Sequence, residues 1–125
     1  MPRILLLLPS TTYRGDAFLD AARRLNVPVT VGCEDTAGFR DSSSAGFLSL
    51  DFRQLDAAAR TAAEFAKRHS IDAVVGVDDT TAVTAAAIAA ALGLPHNPVA
   101  SVTAARNKYR MRELLRQHGV PIPRY

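Results

Sequence analysis

The chain has 125 residues, 48% of them hydrophobic and 22% charged, with a formal net charge of +3. That length fits one domain able to bury its own core, and the composition is that of a globular chain rather than a disordered one. The single cysteine, Cys33, excludes an internal disulfide, argues against a structural zinc site and fits a reducing cytosol.

Ile4 to Leu8 is an unbroken apolar run behind Arg3. It is too short for a signal-peptide core, has Pro9 after it and lacks a small-x-small cleavage site, so it predicts a strand covered on both faces. No stretch approaches the roughly 20 apolar residues of a membrane span, and a soluble, cytoplasmic protein is expected. Pro9 to Gly15 is a polar loop. Asp16 to Leu25 has helical spacing, and Val27 to Cys33 is short and β-branched, hence a second strand.

Glu34 to Ala45, rich in Ser, Asp and Gly, has no periodicity and is expected to be the most mobile internal segment. Phe47 to Leu50 predicts a brief third strand. Arg53 to His69 predicts an alanine-rich helix with Leu55, Ala58, Ala62, Phe65 and Ala66 inward. Asp72 to Val77 reads as another buried strand and Thr80 to Leu92 as another helix, with Gly93 as its left-handed stop and Pro95 blocking continuation. A last helix is expected with Ser101 or Thr103 as its N-cap and Gly119 as its end, before an extended exit held by Pro121 and Pro123. Strands alternating with long helices imply right-handed crossovers. The predicted fold is a three-layer α/β sandwich on a mostly parallel, Rossmann-like sheet.

In such sheets ligands gather beyond the C-terminal strand ends, near the switch in strand order. Two segments fall at such ends. After the first strand, the loop hydroxyls, Ser10, Thr11 and Thr12 among them, and Arg14 could hold an anion, aided by the partial positive charge of the next helix N-terminus. The competing reading is that these hydroxyls satisfy turn amides and Asp16 caps the helix. Only Gly15 is present there, so this is not a dinucleotide fingerprint. After the Val74-Val75-Gly76-Val77 strand, Asp78 and Asp79 could grip a substrate amine or a cation. Equally, Asp79 could cap the helix and Asp78 bond loop amides.

A third cluster is basic. Arg106, Lys108, Arg110, Arg112 and Arg116 crowd one segment in which Glu113 is the only acid. On a continuous helix Lys108 and Arg112 would share one face, and Arg106 and Arg110 another. By the residues alone, a solvated helix face is favoured over a phosphate site. Nucleic acid is not expected as a partner, because no aromatic platform, helix-turn-helix spacing or glycine loop accompanies them. His69, His96 and His118 stand singly, without partners at metal-ligand or nucleophile–base spacing.

Taken together, the Val-Val-Gly-Val strand with its Asp turn, then Leu92-Gly93-Leu94-Pro95, Ala105-Arg106-Asn107-Lys108-x-x-Met111-Arg112 and Gly119-Val120-Pro121-x-Pro123 resemble the N-terminal, pre-ATP-grasp domain of ATP-grasp ligases. The similarity is to the group of biotin carboxylase, carbamoyl phosphate synthetase and the L-amino acid ligases. It implies a domain over 1–118 and, over 119–125, the start of a linker to a C-terminal ATP-grasp domain. It further implies ATP and Mg2+ in the full-length protein, with the magnesium ligands outside this chain. Lys108 matches the lysine that reaches an ATP phosphate. Ser10, Thr11, Arg14, Asp78 and Asp79 become candidates for binding a small carboxylate or amino-acid substrate, by fold position alone. The implied reaction is carbon–nitrogen ligation through an acyl phosphate, with the fragment alone inactive. The alternative is a stand-alone, non-catalytic module that binds a small anion or a protein partner. Homodimerisation is compatible with either reading.

Overall fold

The computed structural model describes residues 2–12, 14–34 and 46–124. The expectation of mobility over Glu34–Ala45 falls almost wholly outside them. The described elements are β1 (Ile4–Leu7), α1 (Gly15–Arg24), β2 (Val29–Cys33), β3 (Phe47–Ser49), α2 (Leu55–Ala66), β4 (Ala73–Gly76), α3 (Asp79–Ala91), α4 (Val99–Arg106) and α5 (Lys108–Gln117). The four strands form one parallel sheet in the order β3-β2-β1-β4. In β1, Leu5 lies opposite Thr30 of β2 and Val74 of β4.

Alternation along a strand sends neighbouring side chains to opposite faces. Leu5 and Leu7 enter a core with Ala58, Ala62, Ala85 and Ile88, so α2 and α3 cover that face. Leu6 and Leu8 join Val31, Cys33 and Val77 on the other, against Phe18 and Leu19 of α1. Both faces of the sheet are therefore helix-covered, which explains why β1 is apolar at every position. The three-layer α/β arrangement expected from the alternation is present.

The inward face of α2 consists largely of alanines, which let it approach the sheet closely. Helix α3 is buried nearly all round, with Thr81, Val83, Thr84, Ala85, Ala86, Ile88 and Ala89 all inside. It packs against β4, α2 and α4, and a helix enclosed in this way carries no polar stripe. The buried Thr84 hydroxyl donates to the Phe52 carbonyl oxygen at 2.9 Å and so ties α3 to the β3–α2 connection.

Three helices end in the same way. After α3, Gly93 N–H donates to Ala90 and Leu94 N–H to Ala89; after α5, Gly119 donates to Arg116 and Val120 to Leu115. The two glycines have φ of +68° and +74°, the left-handed conformation such an ending needs. After α1 the same pair of bonds runs from Asn26 to Arg23 and from Val27 to Ala22, with Asn26 at φ +54°. Asparagine tolerates that conformation, and the sequence reading had carried the second strand back through this turn to Val27.

The last helix departs from expectation. Instead of one helix from Ser101 or Thr103, there are two, broken at Asn107 with φ −108° and ψ 105°. Neither hydroxyl caps. Ser101 Oγ donates to the Pro98 carbonyl and Thr103 Oγ1 to that of Val99, bonds made from inside a helix that has already begun. Asn107 is the residue that caps, its Oδ1 accepting the Arg110 N–H at 3.1 Å. Arg106 and Arg110 therefore lie on different helices, not on one shared face.

Candidate functional site

The chain leaves β1 through α1 toward β2 on one side, while β4 lies against β1 on the other. The connections after β1 and β4 thus diverge, and divergence at neighbouring C-terminal ends opens a crevice. Thr11, Thr12 and Arg14 from the first connection and Val77, Asp78 and Asp79 from the second line a cleft there of about 470 Å³. Four of the residues singled out from sequence, Thr11, Arg14, Asp78 and Asp79, are brought together in it. Ser10 is exposed and outside it, and Thr12, another hydroxyl of the same loop, also lines it.

The first rim is built by a short turn. Thr12 N–H donates to the Pro9 carbonyl at 3.0 Å, and Thr12 Oγ1 accepts the Arg14 N–H at 3.2 Å. Helix α1 starts at Gly15 with Arg14 before it and no side-chain cap; Asp16 lies within its first turn and does not cap it. The rim thus carries one exposed guanidinium beside the positive end of a helix.

On the second rim the two aspartates exchange the roles expected of them. Asp78 is the N-cap of α3: its Oδ1 accepts the Thr81 N–H at 3.1 Å, and its own N–H donates to Thr81 Oγ1 at 3.4 Å. Asp79 is the first residue of α3 and is exposed. The extended backbone of Asp78, at φ −154°, turns its carboxylate back onto the helix end. Asp79, already helical, projects its charge outward, where the helix dipole favours an anion. Cation and carboxylate thus face one cleft from opposite connections.

A larger cavity, of about 880 Å³, lies on the α2–α3 side of the C-terminal edge. Its walls include Glu34 after β2, Asp51, Phe52 and Arg53 after β3, Thr80 and Val83 of α3, and Arg106 and Asn107 where α4 breaks. Arg53 Nε stands 3.3 Å from Asp51 Oδ1. The Arg53 backbone N–H, and then its side chain, bond the Asp51 carboxylate and hold it below the usual carboxylate range. Sequence reasoning missed this cavity, because its described walls come from four separate segments. The one local signal was Asn107 three residues ahead of Arg110, a spacing that suits an N-cap.

Lys108, the first residue of α5, is exposed and lines neither space. Among the described residues no group of three or more His, Cys, Asp or Glu side chains is placed to hold a metal ion. No described helix is long and apolar enough to cross a membrane.

The sequence profile of the ATP-grasp N-terminal domain matches residues 19–96, which run from α1 to the turn after α3. This chain belongs to that family. Among solved structures, the domain is similar to an L-amino acid ligase from Bacillus licheniformis, with a TM-score of 0.79 and 21% identity, over 98% of this chain and 32% of that one. It is also similar to a phosphoribosylglycinamide synthetase from Anaerococcus prevotii, with a TM-score of 0.64 and 17% identity, over 94% of this chain and 29% of that one. At these identities the likeness is one of fold, and this chain spans about a third of the length of each of those chains. A comparison with curated proteins gives no match.

Proposed function

We propose that this ATP-grasp N-terminal domain is the substrate-side part of an ATP-dependent ligase that joins a carboxylate to an amine. The observation that carries the reading is the cleft between β1 and β4. It presents the Arg14 guanidinium and the Asp79 carboxylate from opposite rims, on the fold of an ATP-grasp N-terminal domain. Arg14 suits the carboxylate of an amino acid or other small acid, with the Thr11 and Thr12 hydroxyls as further hydrogen-bonding groups. Asp79 suits an ammonium group.

In the reaction, a carboxylate oxygen of the substrate attacks the terminal phosphorus of ATP and ADP leaves. An amine then attacks the acyl carbon, phosphate leaves, and the amine loses a proton. This chain's own contributions are to orient the acid in the cleft and to present Lys108 to an ATP phosphate at the start of α5. A lysine suits that second task because its ammonium is a mobile point charge on a long stem. The remaining nucleotide contacts and the Mg2+ ligands are assigned to an ATP-grasp domain joined beyond Tyr125. The 125 residues alone do not turn over ATP in this reading.

The test is to supply the protein from its complete reading frame with ATP, Mg2+, hydroxylamine and a panel of amino acids and small carboxylic acids. Hydroxamate formed together with ADP is the expected result, because hydroxylamine traps an acyl phosphate. ADP release without hydroxamate, or no turnover across the panel, overturns the reading.

A further inference from the structure

We propose that the larger cavity at the C-terminal edge is a second small-molecule site, taking a monocarboxylate with an apolar body, and that Arg106 is its anchor. No described residue lines both this cavity and the cleft between β1 and β4. Its volume, about 880 Å³, lies within the range usual for small-molecule sites.

The charges on its wall determine the class of ligand. Among the described residues, two acids, Glu34 and Asp51, and two arginines, Arg53 and Arg106, line it, and their formal charges balance, which does not favour a polyphosphate. The Asp51 charge is met by Arg53 at 3.3 Å. Arg106 makes no ion pair among the described residues. It is the last residue of α4 and lines the cavity where the chain breaks at Asn107. A planar fork with several N–H donors recognises a carboxylate in two-point contact.

The wall also has an apolar part. Phe52 and Val83 are buried, Leu55 is partly buried, and all three line the cavity. This surface suits an aliphatic or aromatic group attached to the carboxylate, and displacing water from it adds to affinity. Thr84 also lines this wall; it is fully buried and its hydroxyl is committed to the Phe52 carbonyl. The connection that shapes the wall is thus pinned to α3 before any ligand arrives.

The experiment is an NMR titration of the intact, nitrogen-15-labelled protein with isocaproate, with the uncharged isocaproamide and inorganic phosphate as parallel probes. Isocaproate should move the amide signals of Val83, Thr84, Arg106 and Asn107 saturably, and should still do so in Arg14→Gln, which removes the guanidinium of the cleft between β1 and β4. Isocaproamide, and isocaproate added to Arg106→Gln, should each bind roughly tenfold more weakly, with Arg106→Lys in between. The melting temperature of each variant checks that it folds. The proposal fails if isocaproate causes no saturable shift, if Arg106→Gln binds it as tightly as the parent, or if phosphate matches isocaproate. These readouts need no turnover, so failure of the ligase reading and failure of this one remain distinguishable.

Discussion

A methyl group placed on Gly76 would stand 2.9 Å from the Thr81 hydroxyl and 3.0 Å from the Thr81 carbonyl oxygen. Helix α3 therefore begins in direct contact with the last residue of β4, and the Asp78–Thr81 capping box sits on that contact. The clash is mainly with backbone, which cannot swing aside as a flexible side chain could. Gly76→Ala should lower stability by about 1–3 kcal/mol, the range for overpacking a filled interior. Urea denaturation of the variant against the parent measures it.

The two aspartates should separate by assay. Asp78→Ala removes the cap and leaves the Thr81 N–H without its side-chain acceptor, at a cost of about 0.5–2 kcal/mol. Asp78→Ser should recover most of that loss, because serine is also a good cap. Asp79→Ala should change stability by no more than about 0.5 kcal/mol, as is usual for surface substitutions. In the proposed ligase its effect should instead appear as a raised KM for the amino substrate. A larger stability loss at Asp79 than at Asp78 would contradict the capping geometry.

Thr84→Val keeps the shape of the side chain and removes its hydroxyl. The Phe52 carbonyl then loses its buried donor, which should cost about 1–3 kcal/mol. Hydrogen exchange adds a local readout: protection should fall across the β3–α2 connection more than in β1. Uniform loss of protection would show that Thr84 does not specifically hold that connection.

Lys108 reads out in kinetics alone. It is exposed at the start of α5, so Lys108→Ala should leave the melting temperature within a degree or so of the parent, in line with its distance from any core feature. In the protein made from the complete reading frame, it should raise the KM for ATP substantially. An unchanged KM for ATP would remove Lys108 from the nucleotide site.

Sequence alone determined the layer architecture and the parallel sheet, because apolar runs and helical spacing are local signals that burial on two faces imposes directly. It also placed the glycine stops at Gly93 and Gly119, since a left-handed residue after a helix is a nearly residue-specific need. The resemblance carried by the Gly93-to-Pro123 segment agreed with the family match found over residues 19–96.

What the tertiary structure decided depends on orientation rather than pattern. Asp78 and Asp79 are chemically identical neighbours, and only the backbone angle at Asp78 settles which one caps α3. The break at Asn107 likewise needed three dimensions, since Ser101, Thr103 and Asn107 are all reasonable caps by type. The larger cavity was beyond reach for a further reason: its walls are drawn from segments as far apart as Glu34 and Asn107, and only the folded chain brings them into one surface.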